Sequence, residues 1–432
     1  MWSGAKGERT HAQWGSVSME INPENFLREL FDRAVAVADP MAALPEVLGE
    51  KPTGRLTVVG AGKASARMAE ALESAWGPCE GLVITRYGYE RPCQGITIKS
   101  AAHPVPDAAG AAATLDMLDL MRGLGAEDTV VCLISGGASS LLTAPVPGVT
   151  LDELKQVNAD LLASGAPISA MNALRKHLCQ AKGGQLAAAA YPAKVVSYLI
   201  SDVPGDDPGM IGSGPTVAEP ESLDSALAAL APFGVALPAH VEAAARAHAG
   251  VVMPGDERLS TTENILFASP LQSLKAAQEL AEAAGLRVEI LGDALEGEAR
   301  DVAQAQADLA KAKVGRGPRV LLSGGELTVT RRGDGVGGPN AEFALALALA
   351  LDSAEGIHAI ACDTDGVDGA ADVAGAVIGP DTLKTAQATG VDAAQALAQN
   401  DAHSFFEKID AQVVPGPTLT NVNDFRAILI TK

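Results

Sequence analysis

The feature that most constrains the fold is a unit that recurs along the chain. Each unit has a short apolar segment, a loop rich in glycine or acidic residues, and a segment rich in alanine and leucine. Short apolar runs are typical of buried strands, whereas alanine and leucine favour helices. Their alternation predicts α/β layers with a mostly parallel sheet. We predict strands over 56–59, 82–85, 130–134, 195–200, 265–268, 288–291, 320–322 and 358–362, and helices over 64–75, 109–121, 151–163, 170–190, 271–284, 299–312 and 341–351.

One of these helices is ambiguous, because FALALALAL at 343–351 alternates like a strand. The segment contains no β-branched residue, and both alanine and leucine are strong helix formers. We therefore predict a buried helix there.

Two domains are expected from the 432 residues. Proline and glycine come together between 232 and 258, beside a helical stretch, which indicates a boundary. We place an N-terminal domain over 19–245 and a C-terminal domain over 255–432. An apolar strand followed by Ser-Gly-Gly occurs in each, at 132–142 and 320–330, which suggests related halves. Residues 1–18 are rich in glycine, serine and charge, so Met19 is the expected natural start.

Charge and composition exclude several classes of binding partner. The chain carries 32 basic and 53 acidic residues, a net charge of -21, which repels nucleic acid and anionic membranes. Aromatic residues make up only 3%, too few for a base-stacking surface. No apolar run reaches the length of a membrane span, and the five cysteines lack a C-x-x-C pair. We expect a cytoplasmic protein without a disulfide framework or zinc cluster.

The first candidate site is the glycine turn at 60–65, GAGKAS, between a strand and a helix. Free backbone N–H groups of Gly60 and Gly62, with Lys63 beside them, would favour an anion. The turn matches neither a Walker A loop nor the dinucleotide fingerprint, because Thr57, Ala64 and Ser65 stand at required glycine or hydroxyl positions. A purely structural turn stays open as the alternative.

Two further loops follow strands and carry the sequence Ser-Gly-Gly. Glycine lets the backbone approach a ligand closely, and hydroxyls lie beside the exposed N–H groups. One loop in each domain suggests a substrate anion and a nucleotide phosphate held from opposite sides, although each loop alone also suits a tight turn. The residues are Ser135, Gly136, Gly137 and Ser139 in the first loop, and Ser323, Gly324, Gly325 and Glu326 in the second.

Charged side chains complete the candidate site. Arg175 and Lys182 are seven residues apart, on one face of a predicted helix, and could hold an anion. The acidic loops at 201–207 and 363–369 each follow an apolar strand, and carboxylates at strand ends suit Mg²⁺ with substrate phosphates. The alternatives are a solvated helix face and aspartates that cap turns.

Together, nine ordered segments resemble the glycerate 2-kinase family, whose C-terminal part is a MOFRL domain. The resemblance runs from about Asn22 to the C-terminus, and some family members carry the name hydroxypyruvate reductase. The segments are GAGKAS (60–65), HPVPD (103–107), SGGASSLL (135–142), NALRKHLCQAKGGQLA (172–187), SDVPGDDPGMIGSGPT (201–216), SGGELTVT (323–330), GGPNAEFALALA (337–348), DTDGVDG (363–369) and GPTLTNVNDFR (416–426).

This resemblance implies a Rossmann-like N-terminal α/β/α domain, a smaller α/β C-terminal domain and a cleft between them. It implies transfer of phosphate from ATP, with Mg²⁺, to the 2-hydroxyl of D-glycerate. The family's active-site lysine falls on Lys63 and its TDG aspartate on Asp365. Pro339 is a departure, since many relatives have arginine there, and Arg175, Lys182 or Arg331 would have to compensate.

The remaining residues are assigned from the loops and charges described above, and the sequence leaves a homodimer open as the assembly. Substrate binding is assigned to Ser135, Gly136, Gly137, Ser139, Arg175 and Lys182, nucleotide binding to Gly60, Gly62, Ser323, Gly324, Gly325, Glu326 and Asn340, and metal binding to Asp202 and Asp363.

Two other classes compete with a small-molecule kinase. An NAD(P)H-dependent hydroxypyruvate reductase would need a dinucleotide site, and the fingerprint is broken, although Arg86 could meet a 2′-phosphate. A non-catalytic acid- or nucleotide-binding protein would not need a lysine combined with several strand-end carboxylates. Phosphoryl transfer needs mainly positioning and charge neutralisation, which these groups supply.

Overall fold

The computed structural model describes residues 22–369 and 371–432, so Met19 and the leader lie outside the described residues. The helices are α1 Pro23–Val37, α2 Pro40–Val47, α3 Ser65–Trp76, α4 Ala108–Met121, α5 Ala138–Leu141, α6 Leu151–Ala163, α7 Ile168–His177, α8 Gln185–Ala188, α9 Leu223–Leu230, α10 Ala239–His248, α11 Pro270–Ala283, α12 Ala299–Lys313, α13 Pro339–Leu351, α14 Thr382–Ala388, α15 Ala393–Ala398 and α16 Ala402–Lys408. The strands are β1 Leu56–Ala61, β2 Glu80–Arg86, β3 Ile96–Ala101, β4 Thr129–Ile134, β5 Lys194–Ile200, β6 Thr262–Ala268, β7 Arg287–Gly292, β8 Arg319–Gly324, β9 Ile357–Asp363, β10 Gly375–Ile378, β11 Gln412–Val413 and β12 Asp424–Ile430.

The first sheet is parallel throughout, in the order β3-β2-β1-β4-β5-β6. This is the strand order of a doubly wound dinucleotide-binding fold. Successive strands are added on one side of β1 as far as β3, and from β4 onward on its other side, so the order reverses between β1 and β4. Helices α2 and α3 pack on one face, while α4, α5 and α8 pack on the other. In such sheets ligands bind beyond the carboxyl ends of the strands at the reversal point.

The second sheet has the order β11-β10-β9-β12-β8-β7. Helices α12, α13 and α16 cover one face, and α1 and α11 cover the other. β12 runs antiparallel to both of its neighbours, β8 and β9, and β10 is antiparallel to β9. The expectation of mostly parallel pairing therefore holds for the first sheet and is wrong for the second, which is mixed.

Sheet membership does not change at the predicted boundary between 245 and 255. Strand β6 pairs with β5 and completes the first sheet, although it follows that boundary. Helix α1, at the start of the described chain, packs against the second sheet instead. The division at 19–245 and 255–432 stays a prediction, and the hydrogen bonding places the change of sheet after Ala268.

All eight predicted strands are present, as is the helix predicted over 341–351. That helix, α13, begins with Pro339 at its first turn, where the missing N–H is not needed. It is apolar almost all round because α12, α16 and the second sheet enclose it. A separate cluster of helices, α6, α7, α9 and α10, forms its own small core beside the first sheet.

The sequence predicts no segment long and apolar enough to span a membrane as a helix. Among the described residues, no helix combines the length and apolar character that crossing a membrane requires.

Candidate active site

A cavity of about 280 Å³ lies where the strand ends of the two sheets meet. We call it the acidic cavity. Lys63 follows β1 and Asp202 follows β5, while Glu326 follows β8 and Asp363 ends β9. Residues of both sheets therefore build one site, as the sequence predicts for its strand-end loops.

Lys63 is the cation that lies among these carboxylates. Its Nζ donates a hydrogen bond of 2.6 Å to Oδ2 of Asp365, a residue only 1% exposed. The other oxygen of Asp365 accepts from the backbone N–H of Val367 at 2.8 Å. Burial disfavours the charged amine, but Asp365 and its acidic neighbours outweigh burial and raise the pKa of Lys63. Lys63 is thus held as an ammonium, with Asp365 behind it.

The other carboxylates are poorly compensated. Burial raises the pKa of Asp202 to about 6, and burial together with Asp365 and Asp424 raises the pKa of Asp363. Asp202 accepts a long hydrogen bond of 3.4 Å from Asn421, and Asp363 accepts one of 2.9 Å from the N–H of Asp365. Uncompensated carboxylates at one cavity favour a bound cation.

The glycine turn does not form the expected phosphate cradle. The N–H groups of Gly62 and Lys63 donate to the carbonyls of Ile84 and Gly136, and that of Ala64 donates to Oγ of Ser135. The backbone donors of the turn are therefore used within the protein. This corrects the assignment of Gly60 and Gly62 to the nucleotide.

The two glycines are needed for packing instead. A Cβ on Gly62 would lie 2.1 Å from the Ser135 Oγ, and one on Gly60 would lie 2.3 Å from the Leu133 carbonyl oxygen. Side chains at either position would push β1 away from β4, so the alternative of a structural turn applies.

In the first Ser-Gly-Gly loop, one residue has a structural role and the two glycines lie at the cavities. Ser135 is fully buried and accepts the Ala64 N–H at 3.0 Å, so it is not available to a substrate. Gly136 lies against the acidic cavity, because a Cβ there would be 2.3 Å from the Asp202 Oδ2. Gly137, with a φ of 81°, lines the acidic cavity and also a second one.

The second Ser-Gly-Gly loop turns inward. Oγ of Ser323 accepts from Gln306 at 3.2 Å, and the carbonyls of Gly324 and Gly325 both accept from buried Arg426. These contacts occupy two carbonyl oxygens and a hydroxyl, whereas a phosphate would be bound by N–H groups, so the assignment of Ser323, Gly324 and Gly325 to a phosphate stays a prediction. Glu326 does line the acidic cavity.

Asn340 is buried at the start of α13. Its Nδ2 donates to Asp424 at 2.7 Å, while its Oδ1 has no hydrogen-bond partner within the described residues. Asn340 thus lies next to Asp424, which lines the acidic cavity.

The predicted cations lie in the second cavity, of about 400 Å³, which we call the basic cavity. Arg175, Lys182 and Ser139 line it together with Lys155. Its residues come from the loop after β3, from α5 and its flanking residues, from the helices α6 and α7, and from the segment between α7 and α8. Lys182 lies in that segment, because α7 ends at His177, so the single helix predicted over 170–190 with Arg175 and Lys182 on one face is wrong. The acidic and basic cavities share His103 and Gly137, so they adjoin.

Sequence reasoning missed three residues that line the acidic cavity, Asn421, Asn423 and Asp424. They precede β12, whereas the rule that ligands bind at carboxyl ends of strands points to loops that follow strands. Because β12 is antiparallel to β8 and β9, its amino end lies at the edge where their carboxyl ends lie. The segment TNVNDF, which supports the family resemblance as part of GPTLTNVNDFR, is the sequence signal for these residues.

The residues present fit Mg²⁺, although the described part of the chain has no group of three His, Cys, Asp or Glu side chains that could hold a metal alone. Mg²⁺ commonly takes one or two carboxylates and completes its shell with water and phosphate. Asp202 and Asp363 offer two such carboxylates, and the unpartnered Oδ1 of Asn340 is a further oxygen nearby.

A lysine among oxygen donors, at the reversal point of a doubly wound sheet, is the arrangement of an enzyme that transfers phosphoryl groups between small molecules. Residues 26–246 match the family described as a domain of unknown function (DUF4147), and residues 319–424 match the MOFRL family. The D-glycerate 2-kinase of Thermotoga maritima is 36% identical, over 94% of this chain and 98% of its own.

Two further matches also cover nearly the whole chain. A protein of Agrobacterium vitis with the provisional name hydroxypyruvate reductase is 48% identical over 95% of both chains. The crystal structure of Thermotoga maritima glycerate kinase gives a TM-score of 0.85 at 35% identity, covering 94% of this chain and 99% of that one. The chain belongs to the glycerate kinase family, which confirms the resemblance in its sequence.

Proposed function

We propose that this chain is a D-glycerate 2-kinase, which transfers the γ-phosphoryl group of ATP to the 2-hydroxyl of D-glycerate. The observation that carries the proposal is the acidic cavity, where Lys63 lies among carboxylates contributed by both sheets. The relative named D-glycerate 2-kinase covers nearly the whole chain and supports the choice of substrate.

Lys63 stabilises the charge of the transferring group in this proposal. Asp365 holds this ammonium at 2.6 Å before the substrates bind. The flexible four-carbon stem of lysine lets the ammonium move from Asp365 toward a phosphate. Asp365 is then free to accept the proton of the 2-hydroxyl as general base.

Mg²⁺ would be held by Asp202 and Asp363 together with the phosphates of ATP. When bound, it would neutralise charge on the phosphate oxygens. Both carboxylates lie at strand ends and line the same cavity as Lys63, which supports this assignment.

The test is to incubate the purified protein with ATP, Mg²⁺ and D-glycerate and to identify the product by phosphorus NMR. We expect 2-phospho-D-glycerate. Formation of 3-phosphoglycerate alone would contradict the proposed regiochemistry, and no product with ATP would contradict the kinase.

A hydroxypyruvate reductase is the second candidate, because a relative of 48% identity carries that provisional name. A dinucleotide pyrophosphate would bind at the glycine turn after β1. The N–H groups of Gly62, Lys63 and Ala64 in that turn already donate hydrogen bonds to oxygens of the protein. We expect no substantial oxidation of NADH or NADPH with hydroxypyruvate. Rapid turnover in that assay would reverse the ranking.

A further inference from the structure

We propose that the basic cavity binds the nucleoside triphosphate, with its phosphates on Arg175 and Lys182 and its base against the apolar wall. This inference rests on the proposed kinase function. It reverses the allocation made from sequence, which gave these cations to glycerate and gave the nucleotide to the second Ser-Gly-Gly loop.

The first argument is the state of Lys182. Its side chain is buried, with the residue 6% exposed, and its Nζ makes one long hydrogen bond of 3.5 Å to Oγ of Ser139. Within the described residues no carboxylate lies within ion-pair distance of this ammonium. A buried cation without a counterion is costly, and burial accordingly lowers the pKa of Lys182. The side chain therefore points to an anionic ligand.

Arg175 repeats this pattern on the same wall. Its Nε donates to Oδ1 of Asn158 and its Nη1 to Oδ1 of Asn172, both at 3.1 Å. These neutral amides fix the guanidinium without neutralising it. Lys155 adds a third cation, whose closest acidic neighbour, Asp152, is 3.8 Å away.

The number of cations distinguishes the ligands. Arg175, Lys182 and Lys155 converge on one cavity in a chain whose net charge is -21. Glycerate carries a single carboxylate, which one such cation would satisfy. A triphosphate carries several negative charges and matches all three.

The size and walls of the cavity distinguish them as well. Its volume of about 400 Å³ lies in the range that holds ligands much larger than a three-carbon acid. Leu154 lines it together with Val105 and Leu162, which are 61% and 65% exposed. Exposed aliphatic side chains at the mouth of a charged cavity suit a nucleobase, which has flat apolar faces.

The cavity also leads to the reacting groups. Gly137 and His103 belong to both cavities, and a Cβ on Gly137 would lie 3.0 Å from Nε2 of His103 and 3.2 Å from Cγ of Lys63. The absence of a side chain at Gly137 keeps this junction open. A phosphate chain bound to Lys182 can therefore extend toward Lys63.

The acidic cavity is the poorer site for the nucleotide. Asp202, Glu326, Asp363 and Asp424 line its wall, and they would repel a polyanion more than the singly charged acceptor. The acidic cavity is left for the metal and the acceptor hydroxyl group.

The test measures ADP binding by isothermal titration calorimetry, and KM for ATP and for D-glycerate separately, in Leu162→Glu and Lys182→Met. Leu162→Glu places a negative charge at the exposed apolar wall, and Lys182→Met removes the buried cation with little change of shape. We expect each variant to raise the Kd for ADP and the KM for ATP at least tenfold, with the KM for glycerate changed less than twofold.

Leu115→Glu is the matched control, since Leu115 is 43% exposed on α4 and outside the cavity. It should behave as wild type in all three measurements. Thermal melts of each variant show whether the fold persists, and Lys182→Met should not lower Tm because it removes an unpaired buried charge.

Three outcomes would overturn the inference. A raised KM for glycerate with an unchanged Kd for ADP would make the basic cavity the acceptor site. No change in any constant, in an active kinase, would show that the cavity binds neither substrate. A wild-type protein that neither binds ADP nor phosphorylates glycerate would refute the proposed function together with the inference, and this result is distinct from the other two.

Discussion

Replacing Lys63 by methionine separates the catalytic role of its ammonium from its structural role. The ammonium lies 2.6 Å from the Asp365 carboxylate, which is buried. Methionine keeps most of the side-chain volume but leaves that carboxylate without its counterion. Loss of one partner of a buried ion pair costs about 3–5 kcal/mol of stability. Lys63→Met is therefore expected to unfold at a lower urea concentration than wild type.

The double variant Lys63→Met with Asp365→Asn provides the control for folding. It removes both charges of the pair, and replacement of a whole buried pair is often nearly neutral for stability. We expect its urea midpoint to return toward wild type. Activity should not return, because both the cation that faces the phosphoryl group and the proposed general base Asp365 are missing.

The expected loss of kcat in Lys63→Met is roughly a hundredfold or more, which is the effect of losing one preorganised electrostatic group. A coupled assay for ADP release at saturating ATP, Mg²⁺ and D-glycerate measures it. Circular dichroism before the assay verifies that the variant is folded. A folded Lys63→Met variant with nearly normal kcat would refute the role of Lys63, whatever its stability.

Three other predictions concern neighbouring positions. Asp365→Asn should lower kcat at least a hundredfold and leave the Mg²⁺ concentration for half-maximal rate unchanged if Asp365 is the base, whereas strong rescue by added Mg²⁺ would make it a metal ligand. Burial and nearby cations lower the pKa of His103 to about 4, so the unfolded chain binds a proton first as pH falls. His103 should contribute a loss of up to about 3 kcal/mol of stability between pH 6.5 and 4, so in urea titrations wild type should lose stability relative to His103→Phe by that amount over this range. Gly136→Ala should reduce kcat at least tenfold in the ADP-release assay, because its Cβ would lie 2.3 Å from Oδ2 of Asp202, while Gly49→Ala, with nothing within 4 Å, should be neutral.

Local pattern was sufficient for most of the fold. The strands of the first sheet follow from apolar runs whose period and length are properties of the chain itself. Helix α13 follows from the helix preference of alanine and leucine, even though its sequence alternates. The pairing of β6 with the first sheet and the packing of α1 on the second depend on contacts between distant segments, so the sequence pattern did not indicate them.

Some residues of the candidate site were also predictable from the sequence, and others were not. Lys63, Asp202 and Asp363 were predictable because they directly follow or end apolar strands, and parallel strands bring their carboxyl ends to one edge. Asp424 was not predictable by that rule, because its strand runs in the opposite direction. Direction within a sheet is set by partner strands far along the chain.

What the sequence by itself determined is the set of elements and the chemical groups at their ends, since local periodicity and residue type carry both. What only the tertiary structure decided is which polar groups stay free. The N–H groups of the glycine turn are satisfied by Ile84, Gly136 and Ser135, so that turn cradles no phosphate. Lys182, in contrast, is buried, and no carboxylate of the described residues lies within ion-pair distance of it. Hydrogen bonds and charges are satisfied by neighbours in space, and those neighbours exist only once the chain has folded.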